Sequence, residues 1–264
     1  MEILRKVIMA GQQKLRNSFG VLILHGFTAT LDSVNALSEP LRALGIPVSI
    51  PLLAGHGASS PEALRGVRWD AWMADADQAL QKLSVDAEQI IVIGHSMGAL
   101  LSLNLAVRYP GRIDSLILAA PAIKLVSVFA PGRPMHFVAP IVSRIIRNWG
   151  LKTIFSGAQS VKRVPHYSWV PTDAIISCFE LIKQSRLLLD RVSHPVLILH
   201  CRQESTVLPE SATIVYNMIA TEASAKSIVW LEHSGHQIFC DCEMEKAVQT
   251  IIDFVSSRIG RNKE

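Results

Sequence analysis

Residues 89–108, QIIVIGHSMGALLSLNLAVR, contain the most informative pattern in this 264-residue chain. An apolar run typical of a buried strand comes first, and a helical pattern begins at Met97. Between them, Gly94, Ser96 and Gly98 form G-x-S-x-G, in which a sharp turn holds a serine above the carboxyl edge of a sheet. The two glycines supply the room that such a turn needs. The pattern predicts Ser96 as a nucleophile at a helix N-terminus, where negative charge is favoured.

The same alternation of apolar runs and helical patterns continues on both sides of this elbow. The predicted strands are 20–26, 47–51, 89–94, 115–121, 195–200 and 227–231. The predicted helices are 33–44, 69–83, 97–108, 172–188, 210–219 and 243–258. Strands that are apolar on both faces and separated by helices indicate a mostly parallel sheet with helices on both faces. The predicted fold class is therefore α/β.

Residues 122–171 interrupt this alternation and contain five prolines. A segment of this length is more often a functional lid than a plain loop, although an inert cap over the sheet is the alternative. We therefore predict a core of residues 1–121 and 172–264 with a lid or cap at 122–171. The basic residues of this segment are candidates to attract a phosphate or carboxylate on the substrate, although a solvated basic face is the favoured interpretation. They are Arg133, Arg144, Arg147, Lys152, Lys162 and Arg163.

A serine nucleophile that attacks a carbonyl needs two N–H donors for the oxyanion that develops. The backbone of Met97 supplies one, because it follows the nucleophile, and the turn after the first strand supplies the other through Phe27. The ring of Phe27 is also a candidate wall for the acyl pocket. His25 and Gly26 are interpreted as residues that shape this turn. His56, in a Gly-His-Gly turn, is interpreted as a structural hydrogen-bonding residue rather than a second base.

The nucleophile also needs a general base, and histidine suits neutral pH. The segment after the last predicted strand offers His233 and His236. His236 follows Gly235 in a turn that can direct an imidazole back across the sheet, whereas His233 is closer to the strand. His236 is the favoured base.

Taken together, these segments resemble the α/β-hydrolase superfamily, in particular the small bacterial carboxylesterases and monoacylglycerol lipases. The resemblance runs over most of the chain and is weakest in the predicted lid. The matching segments, in chain order, are GVLILHGFTAT (20–30), PLLAGHG (51–57), Trp69 and Trp72, GHSMG (94–98), the return from lid to core (170–200) and HSGH (233–236).

The resemblance implies that a triad acid follows the strand at 195–200, usually as aspartate in a D-x-x-V-x-P pattern. In this chain the pattern begins at Glu204 and ends at Pro209, so glutamate stands where aspartate is usual. Triads with glutamate do occur on this fold. Three other acids have simpler interpretations. Glu210 is expected in the first turn of a helix, where a negative charge is favoured, and Asp241 is interpreted as a helix N-cap. Asp190 precedes the strand and is expected on the wrong side of the sheet.

The implied activity is hydrolysis of a carboxylic ester, either a short- to medium-chain acyl ester or a monoacylglycerol. Ser96 forms the acyl-enzyme, His236 is the base and Glu204 is the triad acid, with no metal or organic cofactor. The same fold and residues also serve perhydrolases related to haloperoxidases, C–C bond hydrolases and acyltransferases. A non-catalytic binding protein on a hydrolase scaffold is the alternative from another class.

The overall composition restricts the classes of molecule that this protein is expected to bind. The formal charge is +4 and the pI about 9.0, but the basic residues are scattered, so the expected partner is a small-molecule ester rather than nucleic acid. The four cysteines lack a metal-binding spacing. With no convincing signal peptide and no run of about 18 apolar residues, we expect a cytoplasmic protein without an integral membrane segment.

Overall fold

A six-stranded parallel sheet lies at the centre of the chain, which this computed structural model describes over residues 17–151 and 167–261. The strands of this sheet are β1 (Asn17–Leu24), β2 (Val48–Ser49), β3 (Ala87–His95), β4 (Ile113–Ala119), β7 (Val196–Cys201) and β8 (Lys226–Leu231). Their order in the sheet is β2-β1-β3-β4-β7-β8, and every neighbouring pair is parallel. The predicted α/β-hydrolase fold class is confirmed.

Seven α-helices accompany the strands in the described chain. They are α1 (Ser38–Arg42), α2 (Trp69–Asp86), α3 (Met97–Arg108), α4 (Ala139–Ile145), α5 (Thr172–Arg186), α6 (Glu210–Met218) and α7 (Met244–Arg261). Short 3₁₀ turns occur at Leu31–Ser33, Asn35–Leu37, Pro61–Leu64, His136–Val138, Leu189–Arg191, Ala223–Ala225 and Ile238–Cys240. Within this part of the chain, none of the helices combines the length and apolar character that crossing a bilayer requires.

The core consists of two apolar layers, one on each face of the sheet. Successive strand residues point to opposite faces, so Leu22 and Leu24 belong to one layer while Val21 and Ile23 belong to the other. Helices α2, α3, α5 and α6 cover the first layer, and α1 and α7 cover the second. This arrangement explains why the strands read as apolar on both faces.

The predicted helix at 33–44 is wrong in its first half. Two 3₁₀ turns occupy residues 31–37, and α1 begins only at Ser38. Pro40 has no N–H, and its ring excludes the carbonyl group four residues earlier, so it is tolerated only in the first turn of a helix. The helix therefore cannot extend back through Ala36, and it ends before Gly45, whose φ is 76°.

Residues 122–171 contain elements that lie outside the central sheet. A 3₁₀ turn at His136–Val138 leads into α4, and the strands β5 (Asn148–Gly150) and β6 (Trp169–Pro171) pair antiparallel. Residues 152–166 lie outside the described chain, and with them three of the basic residues singled out above: Lys152, Lys162 and Arg163.

The elbow depends on a close approach between the first turn of α3 and the end of β1. An ideal Cβ at Gly98 would overlap the carbonyl oxygen of Leu24 and lie 2.8 Å from that of His25. At Gly94, a Cβ would lie 2.5 Å from the backbone nitrogen of Ala99. Only glycine therefore allows strand, turn and helix to pack this tightly.

We expect Gly98→Ala to lower the free energy of unfolding by about 1–3 kcal/mol or more, because the added methyl group meets rigid backbone atoms. Urea unfolding followed by circular dichroism measures the change. Gly260→Ala is the matched control, because a Cβ at Gly260 meets nothing within 4 Å and the position is in helix α7. Equal stability of Gly98→Ala and the wild type would contradict the proposed packing constraint.

Candidate active site

Ser96 lies between β3 and α3 with φ 55° and ψ −111°. Its backbone N–H donates to the carbonyl oxygen of Ala119 at the end of β4, with a donor–acceptor distance of 2.8 Å. Thr28 and Ala120 also have positive φ, and no other non-glycine residue in the described chain does. All three residues follow the carboxyl ends of neighbouring strands. Unfavourable backbone conformations are thus concentrated around Ser96, as is common at functional sites.

The structure brings the three predicted triad residues together. Nε2 of His236 lies 3.0 Å from Oγ of Ser96, and Nδ1 of His236 lies 2.8 Å from Oε2 of Glu204. Because a carboxylate oxygen accepts, Nδ1 carries the hydrogen in the neutral imidazole and Nε2 is left to accept from the serine hydroxyl. The arrangement is able to remove the hydroxyl proton from Ser96 as the oxygen attacks a carbonyl carbon.

The side chain of Glu204 is completely buried (0% exposed) yet fully paired. Oε1 accepts a hydrogen bond of 2.7 Å from the N–H of Thr206 while Oε2 faces His236. Burial alone would raise the pKa of Glu204, but the charge of His236 and hydrogen bonds from His236, Thr206 and Val207 outweigh it and hold the pKa at about 2. The carboxylate is therefore ionised at neutral pH.

Glu204 fits because its side chain folds back over its own turn. The bond to the N–H two residues ahead keeps the carboxylate close to the backbone, which offsets the extra methylene relative to aspartate. Residues 124–126 pair with this turn: Val126 N–H donates to Thr206, and Leu208 N–H donates to Lys124, at 3.0 and 2.9 Å. The first residues after β4 thus fix the position of the acid.

Carboxylates that sequence reasoning did not connect with the site hold the histidine turn. The interpretation of Asp241 as a helix N-cap is wrong, because α7 begins three residues later and the Asp241 carboxylate accepts from the N–H groups of Gly235 and Cys242. Glu243 accepts from the N–H groups of His233 and Ser234, at 2.8 and 3.0 Å. His233 itself is exposed, and its ring takes no part in the triad contacts.

His95, the residue before the nucleophile, also supports His236. Its Nε2 donates a 2.8 Å hydrogen bond to the backbone carbonyl oxygen of His236. Burial, together with the charge of His236, lowers the pKa of His95 to about 3, so the ring is neutral. Sequence reasoning treated His95 only as the variable position of G-x-S-x-G. Its position beside Ser96 was the only available signal.

The two predicted oxyanion donors lie beside the nucleophile. Met97 is the first residue of α3, so its N–H has no partner within its own helix. Phe27 follows Gly26, and an ideal Cβ at Gly26 would lie 3.3 Å from Cβ of Ser96. The turn after β1 therefore passes directly against the elbow.

Two buried histidines underlie this turn. Nδ1 of His25 donates to the carbonyl oxygen of Gly26, and Nε2 accepts from the N–H of Leu53. His56 donates through Nδ1 to Ala54, and burial followed by repulsion from His25 lowers the pKa of His56 to about 3. Neither ring contacts the triad in the described structure, so both fit the structural interpretation made from the sequence.

An apolar cavity of about 200 Å³ lies between the core and the 122–171 segment, next to the site. Phe27 belongs to the wall of this cavity, as predicted for the acyl pocket. Cys178 also belongs to the wall, and burial raises the pKa of its thiol to about 12, so the thiol remains neutral. The wall residues are Phe27, Leu125, Ser127, Phe129, Ala139, Val142, Trp149, Leu151, Val170, Thr172, Ile175, Ile176, Cys178 and Phe179. The cavity suits an apolar chain.

The described residues contain no group of three or more histidine, cysteine, aspartate or glutamate side chains able to hold a metal ion. The thiols of Cys178, Cys201 and Cys242 form no disulfide bond within the described chain. Of the basic residues considered as a substrate site, Arg144 and Arg147 are exposed.

Comparison with known proteins agrees with this architecture. The chain is 27% identical to a thermostable monoacylglycerol lipase of Bacillus sp. (strain H-257), over 91% of the chain and 92% of that protein. It is also 27% identical to a carboxylesterase of Bacillus subtilis (strain 168), over 89% and 91%. A solved structure from work on the metagenome-derived lipolytic enzymes LipS and LipT is 25% identical with a TM-score of 0.79, covering 92% of this chain and 96% of that one.

These relatives confirm the predicted resemblance to small carboxylesterases and monoacylglycerol lipases. The model of the family described as serine aminopeptidase, S33, matches residues 18–243, which is most of the chain. The chain therefore belongs to the serine aminopeptidase S33 family of α/β hydrolases.

Proposed function

We propose that this protein hydrolyses carboxylic esters through an acyl-enzyme on Ser96. The observation that carries the proposal is the continuous hydrogen-bonded series from Ser96 Oγ through His236 to the buried Glu204 carboxylate, with distances of 3.0 and 2.8 Å. A nucleophile, a base and a group that orients the base are the components that acyl transfer requires.

In the first half-reaction, His236 takes the hydroxyl proton of Ser96 as Oγ attacks the ester carbonyl carbon. The N–H groups of Met97 and Phe27 stabilise the tetrahedral oxyanion, and Glu204 stabilises the imidazolium. His236 then gives its proton to the departing alcohol. In the second half-reaction, His236 activates a water molecule that releases the acid and restores Ser96.

The cavity favours an ester over a peptide with a free amino terminus. An aminopeptidase needs a negative group to hold the substrate ammonium, and the described cavity wall carries no carboxylate. Ser127 and Thr172 are its only hydroxyl-bearing residues among those described. The names of the two full-length relatives, a monoacylglycerol lipase and a carboxylesterase, support the same choice.

The size of the cavity suggests a medium-length acyl group. An apolar cavity of about 150 Å³ holds one benzene ring. A cavity of about 200 Å³ therefore holds an acyl chain of roughly six to ten carbons by the same measure. Since residues of the 122–171 segment form much of its wall, we propose that this segment is the cap that sets substrate range.

We expect a fluorophosphonate probe to label the folded wild-type protein at one serine and to leave Ser96→Ala unlabelled. Labelling requires an activated nucleophile, which the contact with His236 provides. Mass spectrometry of the labelled peptide identifies the residue. Folded wild-type protein that takes up no probe would exclude the proposed enzyme in favour of a non-catalytic scaffold.

We expect Glu204→Gln to lower kcat for p-nitrophenyl butyrate by about 10³–10⁴, because the amide no longer stabilises the imidazolium of His236. Glu210→Gln is the matched control, because Glu210 is an exposed acid in the first turn of α6. Steady-state kinetics and thermal unfolding of both variants separate activity from folding. Near-full activity of Glu204→Gln would assign the role to another carboxylate.

The pKa of Glu204 also predicts a pH dependence of stability. The folded state holds this pKa at about 2 against an ordinary value of 4.5, so the ionised carboxylate stabilises the fold above about pH 4.5. That contribution disappears as the pH falls from 4.5 towards 2. Urea unfolding should give a difference in free energy of unfolding between wild type and Glu204→Gln that is constant above pH 4.5. Below pH 4.5 the wild type should lose stability relative to the variant as Glu204 becomes protonated. A difference independent of pH would contradict the ionised state.

We expect Val142→Phe to shorten the preferred acyl chain, since Val142 faces the cavity. For the eight-carbon p-nitrophenyl ester, kcat/KM should fall by roughly 10-fold or more, with little change for the two-carbon ester. Ile141→Phe is the control, because this adjacent side chain is 57% exposed and does not belong to the cavity wall. Equal effects of the two variants on every ester would show that the acyl chain binds elsewhere.

A further inference from the structure

The turn that carries His236 is held by side chains at the ends of two central strands. His236 lies between β8 and the 3₁₀ turn at Ile238–Cys240, outside any strand or helix. A base has to be held within about 0.5 Å of its productive position, because a small displacement greatly lowers the rate. The reaction therefore depends on what fixes the backbone of this turn.

Two successive carbonyl groups of the turn accept hydrogen bonds from buried side chains. Nε2 of His95 donates to the carbonyl oxygen of His236 at 2.8 Å, and Sγ of Cys201 donates to that of Gly235 at 3.0 Å. His95 is the last residue of β3, and Cys201 is the last residue of β7. Their exposed fractions are 2% and 0%. The central sheet thus holds the backbone of the base at two adjacent points.

His95 also relates the base to the nucleophile. Because His95 directly precedes Ser96, the end of β3 contacts the backbone of His236 through one residue and its Nε2 through the next. The ring centroids of His95 and His236 are 5.0 Å apart. The 3.0 Å distance between Oγ of Ser96 and Nε2 of His236 therefore depends on a short, buried path through His95.

A contribution to stability alone explains His95 poorly. Its Nδ1 is buried and has no hydrogen-bond partner among the described residues. This atom lies against the turn after β1, 3.3 Å from the ideal position of a Cβ at Gly26. A buried acceptor without a donor costs at least as much stability as one neutral hydrogen bond provides. An apolar side chain of similar size would avoid that cost, so the benefit of His95 lies in the donor that it directs at His236.

We propose that His95 and Cys201 are positioning residues for ester hydrolysis, which act by fixing the backbone of His236. The inference rests on the proposed function, because it assigns these side chains to the reaction in which His236 is the base. Neither side chain belongs to the described wall of the acyl cavity. Their effect is therefore expected in kcat and not in KM.

The variants His95→Met and His95→Gln test the proposal, because the two side chains have similar shapes and only glutamine keeps an N–H donor near the place of Nε2. For p-nitrophenyl butyrate, His95→Met should lower kcat by about 10- to 100-fold, with KM within about twofold of wild type. His95→Gln should restore most of the lost rate. Equal kcat values for the two variants, both shown to be folded by urea unfolding, would overturn the proposal.

Cys201 provides a second pair of variants, which also serves if His95→Met does not fold. Cys201→Ala should lower kcat by roughly three- to tenfold, a smaller effect because a thiol is a weak donor. Cys201→Ser keeps a donor and should recover most of this loss. Equal kcat values for the alanine and serine variants would contradict the role of the thiol.

His194→Met is the matched control. His194 is also buried, and its Nε2 lies 3.4 Å from the carbonyl oxygen of Pro110. It precedes β7, however, and so lies at the amino edge of the sheet, opposite the site. This variant should keep the wild-type kcat, and a loss equal to that of His95→Met would overturn the proposal.

A double-mutant cycle with Glu204→Gln separates positioning of the base from a general loss of packing. Residues that act through one catalytic unit are strongly non-additive, so His95→Met should lower kcat by less than about threefold in the Glu204→Gln background. A loss by the same factor in both backgrounds would overturn the proposal. Wild-type protein that neither hydrolyses the ester nor reacts with the fluorophosphonate probe would instead refute the proposed function, and the positioning role with it.

Discussion

The contact between Gly98 and the backbone at the end of β1 sets the position of every other group in the site. It brings the first turn of α3 against the turn that follows β1, with Ser96 between them at positive φ. Parallel strands all end at the same edge of a sheet, so the turns after β1, β7 and β8 converge on this point. Phe27, Glu204 and His236 come from those three turns. The long-range assembly of the site follows from sheet topology, and its fine geometry follows from this one close approach.

The electrostatics of the site depend on which buried groups are paired. His95 and His56 are buried and remain neutral, so they act as single donors to carbonyl oxygens. Glu204 is buried to a similar degree yet remains charged, because donors surround its carboxylate. Burial disfavours a charge, whereas hydrogen bonds and an opposite charge restore it. The site therefore holds a negative charge on Glu204 directly behind His236, while the histidines His95 and His56 stay neutral.

Local patterns in the sequence are sufficient for much of the fold and for the elbow at Ser96, whereas the prediction of Glu204 as the acid depends on the family resemblance. The bounds of α3 agree with the predicted 97–108, and the elbow pattern by itself identifies Ser96. The contributions of His95 and Asp241 are not predictable in this way, because both side chains bind the turn at Gly235 and His236. His95 is 141 residues from its partner in that turn, and the sequence does not specify the path of the turn. The break near Pro40 escapes prediction because apolar periodicity outweighs the missing N–H. The cavity depends on side chains from several distant segments, and no local pattern encodes such a volume.

The pairing of residues 124–126 with the Glu204 turn limits how the 122–171 segment can be exchanged. The start of the 122–171 segment is also a structural support of the acid, through backbone bonds that do not depend on side-chain identity. Ser211 adds to it by accepting from the N–H groups of Ile123 and Lys124. A segment exchanged between relatives, in nature or by engineering, has to keep the path of these first residues. Variation in length and sequence is compatible with an intact triad only beyond them.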